Sequence, residues 1–140
     1  MYKTRKGCIF LKEIATKQLE WAKLKYLILS KSQPDYKAIR ALFADHNWND
    51  EKELQFRFYI QHALAEPAKK GDSLNAYQHI WGYFKNKATE EEQKKYLKLV
   101  ANFSLEQDGL LSFLQELSLK YQEKYLLQSQ LLFPENDITK

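Results

Sequence analysis

The stretch NAYQHIWGYFK, residues Asn75 to Lys85, places four large apolar side chains on one face of a helix. Tyr77, Ile80, Trp81 and Phe84 stand at positions i, i+3, i+4 and i+7, which is the period of an amphipathic α-helix. The alternation with a period of two that marks a half-buried strand does not occur here. The stretch therefore predicts a helix with one buried face and one exposed face.

Apolar stripes of the same period recur on both sides of this helix. Only four Gly and three Pro occur in 140 residues, so strong helix formers dominate and turn residues are scarce. Residues typical of helix N-termini precede most of the stripes. The predicted helices begin after Thr16 (about 17–29), at Pro34 behind Ser32 or Gln33, at Asp50 with a capping box to Glu53, after a linker over 68–72, after Thr89, after Ser104 with a capping box to Gln107, and near Lys120 (about 120–132). We predict an all-α, single-domain bundle of about six or seven helices.

The chain divides into one main domain and two short ends. Its composition, 44% hydrophobic and 29% charged, is that of a folded globular protein. We expect a basic N-terminal segment over residues 1–15, a helical domain over 16–134 and a polar tail over 135–140 that frays. Ile9, Phe10, Leu11 and Ile14 form an apolar patch that extends the first helix, packs as a separate turn or mediates dimerisation; all three alternatives are open.

Several kinds of catalytic and metal site are excluded. Cys8 is the single cysteine, so one chain holds no internal disulfide, multi-thiolate zinc site or cysteine-ligated iron–sulfur cluster. The histidines His46, His62 and His79 lie on separate predicted segments without metal-ligand spacing. No Gly-rich phosphate loop or nucleophile elbow occurs. We predict no catalytic residue, no metal site and no cofactor.

The expected location is the cytoplasm. A single cysteine suits a reducing compartment. The apolar run behind the basic residues 1–6, Cys8 to Leu11, is too short for the core of a secretion signal. No run of about 18 apolar residues predicts a membrane span. We therefore expect no membrane association.

Positive charge is concentrated in the first 40 residues. They hold ten Lys or Arg against three acids, a balance of +7, whereas the remaining residues hold twelve against fifteen, a balance of −3. Such asymmetry is typical of a surface that binds phosphate backbones, and equally of a solvated lysine-rich surface. Tyr26 and Tyr36 flank the turn between the first two helices, and cations beside aromatics are typical of single-stranded RNA recognition. The candidate nucleic-acid-binding residues are Lys23, Lys25, Lys31, Lys37, Arg40 and, further along, Lys85.

Opposite the apolar stripe of the quoted helix, Asn75, His79 and Gly82 share a second face. One interpretation is a ligand or RNA contact that Gly82 allows to approach closely. The other is a helix crossing in which Asn75 and His79 form hydrogen bonds and Gly82 permits tight packing. In an enzyme, His79 could act as acid or base in a pocket with Asn75 and Tyr83.

Three segments resemble the YbgA-like family, bacterial domains of uncharacterised function: KYLILSKSQPDY (25–36), NAYQHIWGYFK (75–85) and YLLQSQLLFP (125–134). The resemblance covers roughly residues 17–134. It departs from the family where members often carry histidines, since Trp21, Leu24 and Lys31 stand here. The residues that match the family pattern are Lys25, Tyr26, Ser32, Asn75, Gln78, His79, Gly82, Tyr83 and Lys85.

Members of this family occur alone or joined to a thiouracil-desulfidase-like domain with cysteine-ligated iron–sulfur chemistry. The resemblance implies an auxiliary domain that engages tRNA or other RNA beside a separate desulfidase-like enzyme. With Cys8 alone, that chemistry cannot reside in this chain. The leading hypothesis is a non-catalytic RNA-binding accessory domain; the alternatives are a protein-interaction or homodimer module, and a small enzyme with a pocket around His79.

Overall fold

A computed structural model describes the backbone of residues 2–136 and the side chains of residues 13–135. This part of the chain contains helices and no β-strand, which confirms the predicted all-α, single-domain bundle. The seven α-helices are α1 (Tyr2–Lys31), α2 (Gln33–Leu42), α3 (Asp50–Ala65), α4 (Lys70–Trp81), α5 (Glu90–Ala101), α6 (Gly109–Lys120) and α7 (Lys124–Leu127), followed by a 3₁₀ turn, Pro134–Asn136.

The central element is α1, which packs against α2, α3 and α4. Its side chains are buried on both sides, because Trp21, Leu24 and Ile28 face one way and Tyr26 and Leu29 another. The helix is longer than the predicted 17–29, since residues 2–15 extend it rather than form a separate turn. The patch side chains at positions 9–11 lie outside the described residues, and Ile14 is buried in the core.

The helices α2 and α3 form an antiparallel pair beside α1. The predicted start of α2 is confirmed: the Ser32 hydroxyl accepts the Asp35 amide at 3.2 Å, and Pro34 lies in the first turn. The predicted cap of α3 was displaced by one residue. Asn49 rather than Asp50 caps this helix, accepting the Lys52 amide at 2.8 Å.

The second half of the bundle is α4 packed on α6, with α5 and α7 against α6. Part of the predicted linker over 68–72 is helical, because α4 begins at Lys70. Thr89 caps α5 through a complete capping box with Glu92. The capping box predicted at Ser104 is wrong: Ser104 and Gln107 close a turn, and Asp108 caps α6 by accepting the Leu111 amide at 3.0 Å.

The predicted helix over 120–132 is also wrong. Gln122 adopts a left-handed conformation with φ of 51°, which ends α6 and leaves only the single turn α7. Beyond α7, the Gln130 amide donates to the Lys23 carbonyl of α1 at 2.8 Å, and Leu126 and Leu132 are fully buried. The apolar C-terminal segment is therefore part of the core. Of the predicted tail, residues 137–140 lie outside the described part.

Candidate nucleic-acid interface

Four tyrosines from distant parts of the chain meet in what we call the tyrosine cluster: Tyr26, Tyr36, Tyr83 and Tyr125. The Tyr26 hydroxyl lies 3.3 Å from the Tyr83 hydroxyl and donates to it. The Tyr125 ring stacks on Tyr83 with centroids 6.1 Å apart, and meets Tyr26 edge to face at 6.5 Å. Tyr26 and Tyr36 are buried, whereas Tyr83 and Tyr125 are half-buried. The cluster therefore reaches from the core to the surface.

Three connections bring these tyrosines together. Because Ser32 is the single residue between α1 and α2, Tyr26 and Tyr36 lie near the same end of that helix pair. Tyr83 belongs to the turn that follows α4, which packs directly on α1. The bond from the Gln130 amide to the Lys23 carbonyl holds the segment after α7, and with it Tyr125, against α1.

Two cations accompany the tyrosine cluster. The Lys25 ammonium lies 5.8 Å from the centroid of the Tyr26 ring, and the Arg40 guanidinium lies 5.8 Å from that of Tyr36. Among residues 13–135, neither cation forms an ion pair with a carboxylate. Partial burial, and then repulsion from Arg40, lower the pKa of Lys25. The pair is an uncompensated positive site.

The hydroxyls of Tyr26 and Tyr125 keep their protons at neutral pH. Burial, and then the hydrogen bond with Tyr83, raise the pKa of Tyr26 far above its ordinary value. Burial also raises the pKa of Tyr125, with further contributions from Tyr83 and Tyr36. A protonated phenol can donate a hydrogen bond to an anion. The Tyr83 hydroxyl already accepts a hydrogen bond from Tyr26, which leaves its own proton as a donor. The site thus combines positive charge with neutral donors.

The four other predicted cations are spread over several parts of the surface. Lys23 is two residues from Lys25 and so lies on a different side of α1, where it lines a cavity of about 510 Å³ with Glu20 and Arg57. Lys85 lines another cavity, between α4 and α5, beside Trp81 and Tyr96. Lys31 is half-buried at the end of α1, and Lys37 is exposed one turn before Arg40. The structure thus brings together Lys25 and Arg40 and separates Lys23 and Lys85 from them.

A family model described as "Protein of unknown function (DUF1722)" matches residues 25–135. The chain belongs to this family. The match includes all four members of the tyrosine cluster and both of its cations. In the same comparisons, no curated protein and no solved structure matched.

The exposed face of α4 contains polar residues within the DUF1722 match. Gln78 and His79 are exposed, Asn75 is partly so, and Gly82 is exposed in the turn that follows. A Cβ added to Gly82 would meet the carbonyl oxygen of His79 at 3.0 Å and no neighbouring helix. The predicted helix crossing at Gly82 is therefore wrong. The face is open to solvent, and the hypothesis of an enzyme around His79 stays a prediction.

Other family-pattern residues have structural roles. Ser32 caps α2, Tyr26 and Tyr83 belong to the tyrosine cluster, and Lys25 lies beside it. The sequence interpretation missed Tyr125 as a site residue, although it begins the third segment quoted above. It placed Tyr26 and Tyr36 beside the candidate cations without naming them as binding residues, and it considered Tyr83 only in the family pattern and in a pocket around His79.

A second polar network, which the sequence interpretation also missed, joins α1 to α3. Lys17 pairs with Glu53 at 3.0 Å, and Arg57 pairs with both Glu53 and Glu20. The buried Trp48 indole donates to Glu53 at 3.1 Å. The charges in this network are mutually compensated, in contrast to the pair at the tyrosine cluster.

Two kinds of feature are absent from the described residues. No group of three or more His, Cys, Asp or Glu side chains among them could hold a metal ion. No helix in that part of the chain is long and apolar enough to cross a membrane.

Proposed function

We propose that this DUF1722 domain is a non-catalytic accessory domain that binds RNA through the tyrosine cluster and its two cations. The observation that supports the proposal is the pair Lys25 and Arg40, which share one site and have no carboxylate partner among residues 13–135. Two other partly buried cations of the described bundle, Lys17 and Arg57, pair with acids, whereas the partly buried Lys23 and Lys31 form no ion pair within residues 13–135. Partial burial lowers the pKa of Lys25, so its charge is partly desolvated, and a negatively charged ligand would stabilise that charge.

Phosphate is the partner that suits this site. Lysine and arginine contact phosphate oxygens in most nucleic-acid complexes, and tyrosine hydroxyls join them as donors. The half-buried rings of Tyr83 and Tyr125 also offer aromatic surface, which single strands and splayed RNA loops use for stacking. The exposed Lys37 extends the positive surface along α2.

The identity of the RNA and of a partner enzyme is part of the same proposal. DUF1722 is consistent with the YbgA-like family that the three sequence segments resemble. On that assignment the domain is bacterial and cytoplasmic, its RNA is tRNA, and its enzymatic partner is a separate desulfidase-like protein. Purifying the chain from cells and sequencing the RNA that accompanies it would test the identity of the ligand.

The binding experiment is a fluorescence-anisotropy titration with bulk tRNA across a range of salt, beside duplex DNA of similar length. We expect tRNA to bind more tightly, with affinity that falls as salt rises. The double variant Lys25→Gln/Arg40→Gln should weaken binding and reduce the salt slope by roughly one for each phosphate that the variant no longer neutralises. Lys98→Gln, an exposed lysine on α5, is the matched control. Equal binding by both variants would reject this surface.

A protein-interaction module is the second candidate, because α3 exposes two large apolar side chains. Leu54 is 73% exposed and Phe58 is 60% exposed, one turn apart on the side of the helix away from the core. Sedimentation of the wild type and of Leu54→Ser/Phe58→Ser tests self-association through this face. An oligomer that dissociates in the variant would support the module; a monomeric wild type would remove homodimerisation.

A further inference from the structure

We propose that Lys25 and Arg40 bind one terminal phosphate monoester, so that the domain recognises an RNA end rather than an internal phosphodiester. This inference rests on the proposed function for the identity of the ligand, because it names the part of the RNA that the site takes. The geometry on which it depends is independent of that function. It consists of two neighbouring cations and four tyrosines, and no carboxylate among residues 13–135 pairs with either cation.

The charge of the site sets the charge of its ligand. Lys25 and Arg40 contribute two positive charges, and the acids nearest to them in sequence are already engaged. The Asp35 carboxylate lies 2.7 Å from the His62 ring, and Glu20 pairs with Lys17 and Arg57. An internal phosphodiester carries one negative charge, whereas a phosphate monoester carries close to two at neutral pH. A terminal phosphate therefore compensates both cations, and an internal one leaves a cation uncompensated.

The donors at the site suit the additional oxygens of a monoester. A terminal phosphate presents three strong acceptor oxygens, and an internal phosphodiester presents two unesterified ones. Lysine supplies three N–H donors and arginine a planar fork of them. The Tyr83 hydroxyl accepts the Tyr26 proton at 3.3 Å, and no other hydrogen bond engages its own proton within residues 13–135. Tyr83 can thus donate to the third oxygen.

The partial burial of Lys25 favours a ligand with two negative charges. A fully solvated lysine is screened by water and salt, so it distinguishes poorly between one and two negative charges. Lys25 is half-buried at the junction of α1 with the tyrosine cluster, where electrostatic interactions are stronger than in bulk water. Such a position favours a terminal phosphate with two negative charges over the singly charged phosphodiesters along an RNA strand.

The test compares two short single-stranded RNA oligonucleotides of one sequence, one with a 5′-phosphate and one with a 5′-hydroxyl, and repeats the comparison with a 3′-phosphate. Affinity is measured by calorimetry for the full chain. We expect at least one phosphorylated end to bind about tenfold more tightly than the matching hydroxyl end, a difference of about 1.4 kcal/mol. Equal affinities for all ends would overturn the inference, even if RNA still binds.

Variants test whether the preference for a phosphorylated end depends on this site. Arg40→Gln and Tyr83→Phe should each reduce the preference for the phosphorylated end to less than about threefold. Arg40→Lys should retain part of it, and Lys98→Gln should leave it unchanged. Because Arg40 is exposed, Arg40→Gln will fold even if Lys25→Gln does not. A preference that survives Arg40→Gln would place the recognition elsewhere and reject the site.

Adenosine 5′-monophosphate and adenosine distinguish this inference from the proposed function. If the nucleotide binds, the nucleoside does not and RNA does not bind at all, the phosphate site stands and RNA recognition fails. If RNA binds with the same affinity whether or not its ends are phosphorylated, RNA recognition stands and the terminal-phosphate site fails.

Discussion

The Nδ1 atom of His62, near the end of α3, lies 2.7 Å from the Oδ2 atom of Asp35 in the first turn of α2. Asp35 is buried and His62 is largely exposed, so the contact joins α2 to α3 at the surface of the bundle. The hydrogen bond and then the charge of Asp35 raise the pKa of His62 above 6.5. The two helices are therefore joined by a bond whose strength depends on pH.

We expect this bond to make folding stability fall with rising pH. A histidine whose pKa is raised by folding stabilises the protein fully below its unfolded pKa, near 6.5, and this contribution is lost as pH rises through the higher folded pKa. Urea unfolding of the wild type should show this decline, and His62→Gln should flatten it. His79→Gln, an exposed histidine without a carboxylate partner among the described residues, should retain it. Parallel profiles for wild type and His62→Gln would contradict the assignment.

Glu53 is expected to be the acid on which the α1–α3 junction depends most. Burial acts to raise its pKa, but hydrogen bonds from Lys17, Arg57 and Trp48 outweigh it and lower the pKa. Glu53→Ala leaves the buried Trp48 indole without its acceptor, which should reduce the free energy of unfolding by about 1–3 kcal/mol. Glu51→Ala, in the same first turn but exposed, is the control. Similar losses in chemical denaturation of both variants would mean that the hydrogen bond contributes nothing beyond helix charge.

The bundle could be predicted from the sequence wherever the signal is local. The caps at Ser32 and Thr89 are formed by residues within three positions, so their sequence patterns suffice. The end of α6 is different, because neither Gly nor Pro marks the left-handed Gln122. The Leu-rich residues after Gln122 have the composition of a helix. Instead, the Gln130 amide donates a hydrogen bond to α1, and this tertiary contact cannot be read from the local sequence pattern.

The candidate interface could be predicted only in part, for the same reason. Lys25 and Arg40 were among the predicted cations, but so was Lys23, which helical geometry turns away from them. The cluster of Tyr26, Tyr83 and Tyr125 depends on contacts between residues 57 or more positions apart in two of its three pairs. Helical spacing alone assigns such tyrosines to the core, and two of the four are indeed buried.

Glu92 should make α5 sensitive to acid. Although partial burial acts to raise it, hydrogen bonds from Lys120, Tyr121 and the Thr89 amide lower the pKa of Glu92 to about 2. Its stabilising contribution is present above the unfolded pKa, near 4.5, and is lost as pH falls towards 2. Glu92→Gln should therefore lose more stability than Glu91→Gln at pH 7, with the difference closing in acid. Thr89→Val removes the cap of α5 and should reduce the free energy of unfolding by about 1 kcal/mol. Thermal unfolding of the three variants at several pH values checks these expectations.

Lys25→Met should stabilise the free protein while it abolishes phosphate binding. The substitution removes a half-buried cation that faces Arg40 and keeps a flexible apolar side chain in its place. Because solvent screens a side chain that is partly exposed, we expect a small gain, below about 1 kcal/mol, at pH 7. Because folding lowers the pKa of Lys25, the folded protein releases this proton before the unfolded chain does. The gain should therefore shrink as pH rises towards 10.5. Lys37→Met, at an exposed position on α2, should change stability by less than about 0.5 kcal/mol.

Thermal unfolding with and without adenosine 5′-monophosphate measures both effects of the Lys25 substitution. A more stable variant whose unfolding temperature no longer rises with the nucleotide would show that the Lys25 charge destabilises the free protein and binds the ligand. A less stable variant with an unchanged response would mean that Lys25 contributes packing along its alkyl chain, and the anion would then have to bind away from the tyrosine cluster.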